Sequence, residues 1–273
     1  MTTAPRIDCH AHIYTRAMPL APDAWHRPPG DATVAQYLDQ LRRHGISHGV
    51  LAAASLYGTN NAYALSATGA HPNLKTTVIV APSADRATLL AMQAVGAVGF
   101  RLQLRNRLVP DLTAPDWQGL LGHMAAIGWH MELHDDLVRL PPLIEAVERA
   151  GVRLVVDHFG RPANRGEVDG PAFEALLAAV GRGNCWVKVA SGFRLEDPAA
   201  EQAAFDRLLA RGGAQRLLWG SDWPFANFED RVSYPSAITD YRRIAPDPAL
   251  RAAIDRTGFA FYFPECVPPD GIA

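Results

Sequence analysis

Short runs of β-branched and aromatic residues alternate along this chain with longer stretches whose apolar positions return every third or fourth residue. The first pattern is that of strands and the second that of amphipathic helices. The helix-to-strand joins share one form: a helical stretch ends in glycine and a strand follows at once, as in RHG-ISHGVLAA, AVG-AVGFRLQL, AIG-WHMELHDD, RAG-VRLVVDHFG, GRG-NCWVKVAS and RGG-AQRLLWGSD. Glycine suits the left-handed position that closes a helix. The pattern predicts strands over Ile7–Ile13, Gly49–Ala54, Thr76–Ala81, Ala97–Leu104, Trp129–His134, Leu154–His158, Trp186–Ala190 and Leu217–Ser221. Helices are expected over Val34–His44, Asn61–Ala70, Asp85–Val95, Asp116–Ile127, Pro141–Ala150, Ala172–Val180 and Ala199–Ala210, with a last one from about Pro235 onward. Strands alternating with helices of this length give right-handed βαβ units and a parallel sheet, and eight such units close a barrel.

The expected fold is therefore α/β, a (β/α)8 TIM barrel that takes up residues 1–273 as one domain. An open doubly wound sheet is the alternative. It fails because no glycine-rich phosphate turn follows the first strand, and because polar residues gather after many strands rather than at one switch point. Pro19–Pro29 reads as the loop after the first strand and Pro264–Ala273 as a loose tail.

Composition narrows the function. A chain of 273 residues with 48% hydrophobic content fills a barrel without needing disulfides. Cys9, Cys185 and Cys266 are widely spaced and odd in number, which fits a reducing compartment. MTTAPRIDCHAH enters a strand directly, and no apolar run is long enough to span a bilayer, so the expected location is cytoplasmic with no membrane partner. The net charge is −2 with both signs interspersed, which argues against nucleic acid. Self-association is left open.

His10 and His12 are two apart on a strand and so share a face, with Asp8 expected on that face one layer deeper. Two imidazoles in a barrel interior are costly unless they bind a metal, a substrate or each other. Asp222 ends LLWGSDWP, where a carboxylate could take a proton from water, ligate a metal or cap a helix. His158 tops the sixth strand in LVVDHFGR, while Asp157, of opposite parity, is expected to face the helices or serve the loop. His134 tops the fifth strand, with Glu132 sharing its parity. Arg101, Arg107, Arg161 and Arg194 fall at or beyond strand ends, and guanidinium groups gathered there suggest an anionic substrate. No lysine or second carboxylate suggests itself as a bridge between two metals.

IDCHAH, GFRLQL, VVDHFGRP and LLWGSDWP resemble the amidohydrolase superfamily, in the branch that includes 2-pyrone-4,6-dicarboxylate lactonases. The resemblance runs over nearly the whole chain. It implies that Asp222 activates water, that His10, His12 and His158 polarise a lactone carbonyl, and that Arg101, Arg107, Arg161 and Arg194 hold substrate carboxylates, with His134 beside them. Metal enzymes of the superfamily bind zinc, and His10, His12, His134 and Asp222 would be the ligands here if one were bound. The pyrone lactonase type works without metal and has tyrosine at the fifth-strand position, from which His134 departs. The arginine set tips the expectation toward hydrolysis of a carboxylated lactone with no cofactor required. The alternatives are a zinc-dependent decarboxylase, a lactone isomerase, and a non-catalytic binding protein for organic acids.

Overall fold

The computed structural model describes residues 6–195 and 197–266. Part of the expected tail, from residue 267 on, lies outside the described residues, and Pro264–Cys266 form a single 3-10 turn. Eight parallel strands follow one another in chain order: β1 (Ile7–Ala11), β2 (His48–Leu51), β3 (Leu74–Val78), β4 (Ala97–Gln103), β5 (His130–His134), β6 (Arg153–Val156), β7 (Cys185–Lys188) and β8 (Leu217–Leu218). The helices that cover them are α1 (Val34–Arg43), α2 (Ala62–Ala70), α3 (Arg86–Gln93), α4 (Pro115–Ala126), α5 (Leu140–Arg149), α6 (Arg165–Val168), α7 (Pro171–Arg182), α8 (Pro198–Gly212), α9 (Tyr234–Ile244) and α10 (Pro248–Tyr262). This is the expected (β/α)8 barrel. The glycines closing the six helix-to-strand joins all have positive φ, from 62° at Gly213 to 103° at Gly96, a conformation that other residues rarely adopt.

The one-turn helix α6 was not expected, and two of the expected elements differ in form. The eighth strand is regular only over Leu217–Leu218. Beyond it, residues 219–223 close the barrel against β1 through irregular pairing: Cys9 N donates to Trp219 O (2.8 Å), Asp222 N to His10 O (2.7 Å) and His12 N to Trp223 O (2.7 Å). The last helical stretch is split into α9 and α10, because Pro246 and Pro248 cannot continue a helix.

Strand register explains which side chains enter the barrel. On β1, Asp8 pairs with Gly49 but Ala11 pairs with Leu51, so β1 carries one residue more than its partner. That bulge breaks the alternation. Ile7 and Cys9 join an apolar floor cluster with Val50, Val155, Leu218, Phe261 and Phe263, and His10 also points inward. Asp8 is thereby turned away from His10, correcting the expected shared face. It accepts from Ser221 Oγ (2.6 Å), Ser221 N (2.8 Å) and Tyr234 Oη of α9 (2.7 Å). A larger apolar layer between sheet and helices supplies the main core.

Candidate active site

The carboxyl ends of the strands open into a cavity of about 420 Å³ whose lining includes His12, Tyr14, Arg101, Gln103, His134, His158, Arg194 and Asp222. The backbone bends sharply to bring several of these inward. His158 (φ 51°), Phe159 (φ 58°), Ser191 (φ 63°) and Asp222 (φ 64°) all adopt left-handed conformations, which non-glycine residues hold only when surrounding structure enforces them. At β6 this overturns the expected parity. Asp157 keeps the inward parity of Val155 and points into the barrel, and His158 reaches the cavity because the strand ends and the chain turns left-handed.

Asp222 is fully buried, and its two oxygens face different surroundings. Oδ2 accepts from Ser191 Oγ (2.9 Å) and from Arg194 Nε. Oδ1 has no hydrogen-bond partner and lies 3.4 Å from His12 Nε2 and 3.7 Å from His10 Nε2. Burial pushes this carboxyl up, but the Arg194 guanidinium beside it holds it well below the usual carboxylate range. It is ionised at neutral pH.

The hydrogen bonds place the protons on the four histidines, since a carbonyl only accepts and a lysine or arginine head group only donates. His12 Nδ1 donates to Ala52 O (2.8 Å) and His158 Nδ1 to Ala190 O (3.4 Å), so in the neutral rings Nε2 is a bare acceptor. His134 Nδ1 accepts from Arg101 Nη2 (3.3 Å), which puts a hydrogen on Nε2, a buried atom with no partner. His10 Nδ1 lies 2.9 Å from Lys188 Nζ, and its Nε2 lies 3.3 Å from the bare Nε2 of His12, to which it donates. Burial depresses His158 to about 3 and holds His10 and His134 well below the usual histidine range, with Lys188 adding to the effect at His10.

Beneath the cavity lies a charge-balanced layer that the sequence reading missed in part. Arg101 of β4, Glu132 of β5, Asp157 after β6 and Lys188 of β7 are all buried. Lys188 Nζ is 2.6 Å from Glu132 Oε2 and 3.5 Å from Asp157 Oδ1. Arg101 Nε is 2.9 Å from Glu132 Oε1, its Nη2 is 2.9 Å from Asp157 Oδ2, and its Nη1 donates to Ala53 O (3.0 Å). Burial and the neighbouring Asp157 raise Glu132 to about 7, while the Lys188 and Arg101 cations overcome burial and hold Asp157 well below the usual range. Lys188 is the member of this layer that was not among the candidates read from the sequence. The signal was a lysine inside the strand run CWVKVA, two residues from Trp186 and on the same face.

The arginines divide by position. Arg101 lines the cavity but is engaged by Glu132, Asp157 and Ala53. Arg194 lines both the cavity and an outer vestibule of about 980 Å³, where Arg161 joins it together with Arg105 and Arg231, two residues not singled out from the sequence. Arg107 lies outside both spaces and pairs with Asp23 (2.9 Å).

Two donor groups among the described residues are close enough to hold a cation: His10, His12 and Asp222, and His10, Asp157 and His158. His134 belongs to neither. The first triangle has edges of 3.3, 3.4 and 3.7 Å, near the roughly 3.4 Å edge of a tetrahedron with bonds of about 2.1 Å. Spacing alone therefore fits. The proton pattern does not, because Lys188 donating to Nδ1 leaves the hydrogen of His10 on Nε2, the atom a cation would need.

Fold and site together define an α/β-barrel enzyme with an imidazole–carboxylate centre at the mouth of the barrel. The chain belongs to the amidohydrolase family, which it matches over residues 7–256. It is 30% identical over 265 residues to a 2-pyrone-4,6-dicarboxylate hydrolase of Comamonas testosteroni, covering 91% of this chain and 86% of that one. A crystal structure assigned as a 2-pyrone-4,6-dicarboxylic acid hydrolase from Pseudomonas putida superposes with a TM-score of 0.88 at 40% identity, covering 96% of this chain and 98% of the other. Another so assigned, from Acinetobacter baumannii with citric acid bound, gives a TM-score of 0.90 at 29% identity, over 94% of this chain and 99% of the other. Among the described residues no helix is long and apolar enough to cross a membrane.

Proposed function

We propose that this protein is a lactonase that opens a carboxylated lactone, 2-pyrone-4,6-dicarboxylate or a related ring, with water activated by Asp222 and no metal required. The observation that carries the reading is the divided environment of Asp222. One oxygen is anchored by Ser191 and Arg194, and the other is unpartnered and faces the cavity beside His12. Asp222 Oδ1 is thereby placed to accept a hydrogen from a water in the cavity, leaving an oxygen lone pair for attack on the ring carbonyl.

As the carbon becomes tetrahedral, negative charge develops on the carbonyl oxygen. The unpartnered Nε2–H of His134 is a preorganised donor for it. Such donors are worth about 3 kcal/mol each in a water-poor site. His12 and His158 serve as acceptors in this scheme rather than as the polarising donors that the family resemblance implies. Collapse breaks the ring C–O bond, and the proton held by Asp222 is returned to the leaving oxygen.

Arg161 and Arg194 face the space where the ring substituents would project, which supports an anionic substrate, and the Acinetobacter baumannii relative was crystallised with citric acid bound. Proton release in weakly buffered solution, measured for 2-pyrone-4,6-dicarboxylate, a muconolactone and a neutral sugar lactone, tests the reading. The expected kcat/KM for the dicarboxylate is at least about a hundredfold above that for the neutral ring. Preference for the neutral sugar lactone, or no acid released from any of them, would overturn it.

A further inference from the structure

We infer that Lys188 is a positioning residue that fixes the proton of His10 on Nε2 and thereby keeps divalent cations off the His10–His12–Asp222 triangle. It deepens the metal-independent reading of the same site. Lys188 is fully buried and does not line the cavity, so it does not meet substrate. Its ammonium is surrounded by Glu132 Oε2 at 2.6 Å, Asp157 Oδ1 at 3.5 Å and His10 Nδ1 at 2.9 Å. A lysine ammonium has hydrogens to give and no lone pair, so the imidazole nitrogen facing it must be the one without a hydrogen.

The other side of the same ring gives the same answer independently. His12 uses its Nδ1 hydrogen on Ala52 O, so its Nε2 is bare, and the 3.3 Å contact to His10 Nε2 needs its hydrogen from His10. A cation on the triangle would require the opposite arrangement, with the hydrogen on His10 Nδ1. Metal-bound histidines hold that hydrogen on a carboxylate or carbonyl. Two carboxylates do lie within reach of Nδ1, Asp157 Oδ1 at 3.4 Å and Glu132 Oε1 at 3.7 Å, but Lys188 is closer than either. Removing the ammonium frees Asp157 to accept from Nδ1–H, which bares Nε2 and completes a donor set whose spacing already suits a tetrahedral ion. One buried lysine thus separates two chemistries available to the same three side chains.

The test reads the tautomer directly. Long-range proton–nitrogen spectra of the full ¹⁵N-labelled chain, with His10 assigned from the difference with His10→Gln, are expected to show Nδ1 bare and Nε2 protonated. A protonated Nδ1 in the unsubstituted protein overturns the inference without any variant. The second arm uses Lys188→Met combined with Glu132→Gln, which removes one charge of each sign from the buried layer. In that variant His10 is expected to switch to Nδ1–H, and zinc, measured by competition with a chromophoric chelator, to bind at least tenfold more tightly than to the unsubstituted protein. An unchanged tautomer or equal zinc affinities in a folded variant would overturn it. If the variant does not fold, the spectrum of the unsubstituted protein still decides. Neither readout involves a lactone, so failure here leaves the lactonase reading standing, and absence of lactonase activity leaves this one standing.

Discussion

At the scale of single residues, the division of labour between the two oxygens of Asp222 makes a sharp prediction. In Asp222→Asn, Arg194 and Ser191 both present hydrogens to the anchored position, so the amide oxygen must turn toward them. The amide NH2 then faces the cavity, a donor where water needs an acceptor. The expected result is a fall in kcat of about a thousandfold or more with KM within a few fold, since shape and the arginine-lined mouth are kept. Rapid kinetics and a thermal melt check it. A kcat within about tenfold of the unsubstituted protein would remove Asp222 from the role of base. His134 is similarly defined by its environment. It was legible as a strand-end histidine, but only Arg101 on its Nδ1 makes it a donor.

At the scale of elements, the sequence told much about where strands and helices lie and less about which way their side chains face. Alternating periodicity and closing glycines located eight strands. Parity then failed at two of them, for physical causes that have no sequence signature. A bulge on β1 reversed Asp8 relative to His10, and the left-handed turn at His158 let both Asp157 and His158 face inward. Lys188 was overlooked because a lysine in a strand is usually at a surface, and only the closed barrel shows that its face is interior. His130 illustrates the same point at the foot of β5. It is wedged against Phe261 and Tyr262 at the end of α10, with Nε2 unpartnered. Burial, then Arg153 and Lys188, hold it well below the usual histidine value. Its native form therefore resists protonation while the unfolded chain protonates near pH 6.5, so the stability it contributes is present above that pH and is lost as pH falls below it. His130→Leu removes the linkage. Denaturant melts should show the variant gaining on the unsubstituted protein by about 1.4 kcal/mol per pH unit between pH 6.5 and 5. Parallel pH profiles would mean that His130 protonates freely in the native state. Because only His130 differs, the opposing effects of raised acids such as Glu132 and Asp255 cancel in the comparison.

At the scale of the whole molecule, the distribution of charge matters more than its sum. The chain carries a net charge of −2, yet the vestibule over the cavity is lined by Arg105, Arg161, Arg194 and Arg231. Asp136 is shared between Arg105 (3.3 Å) and Arg161 (3.5 Å), and Arg231 is 3.8 Å from Asp230, so the acids offset the arginines only in part. A cleft lined by one sign within low-dielectric walls concentrates ions of the other sign and speeds their capture. An anionic lactone should therefore lose kcat/KM as ionic strength rises, by on the order of tenfold between 0.02 and 0.2 M, because the Debye length shrinks from about 20 Å to below 10 Å over that range. A neutral lactone should show a nearly flat response. Arg161→Ala, which removes one vestibule charge without touching Asp222, should lower kcat/KM for the anion severalfold, reduce its salt dependence and leave kcat nearly unchanged. Arg107→Ala should do none of these, since Arg107 lies outside both spaces and is paired with Asp23. Equal salt responses for charged and neutral rings, or equal effects of the two arginine substitutions, would show that the vestibule charge does not guide the substrate and that the arginines serve the loops that carry them.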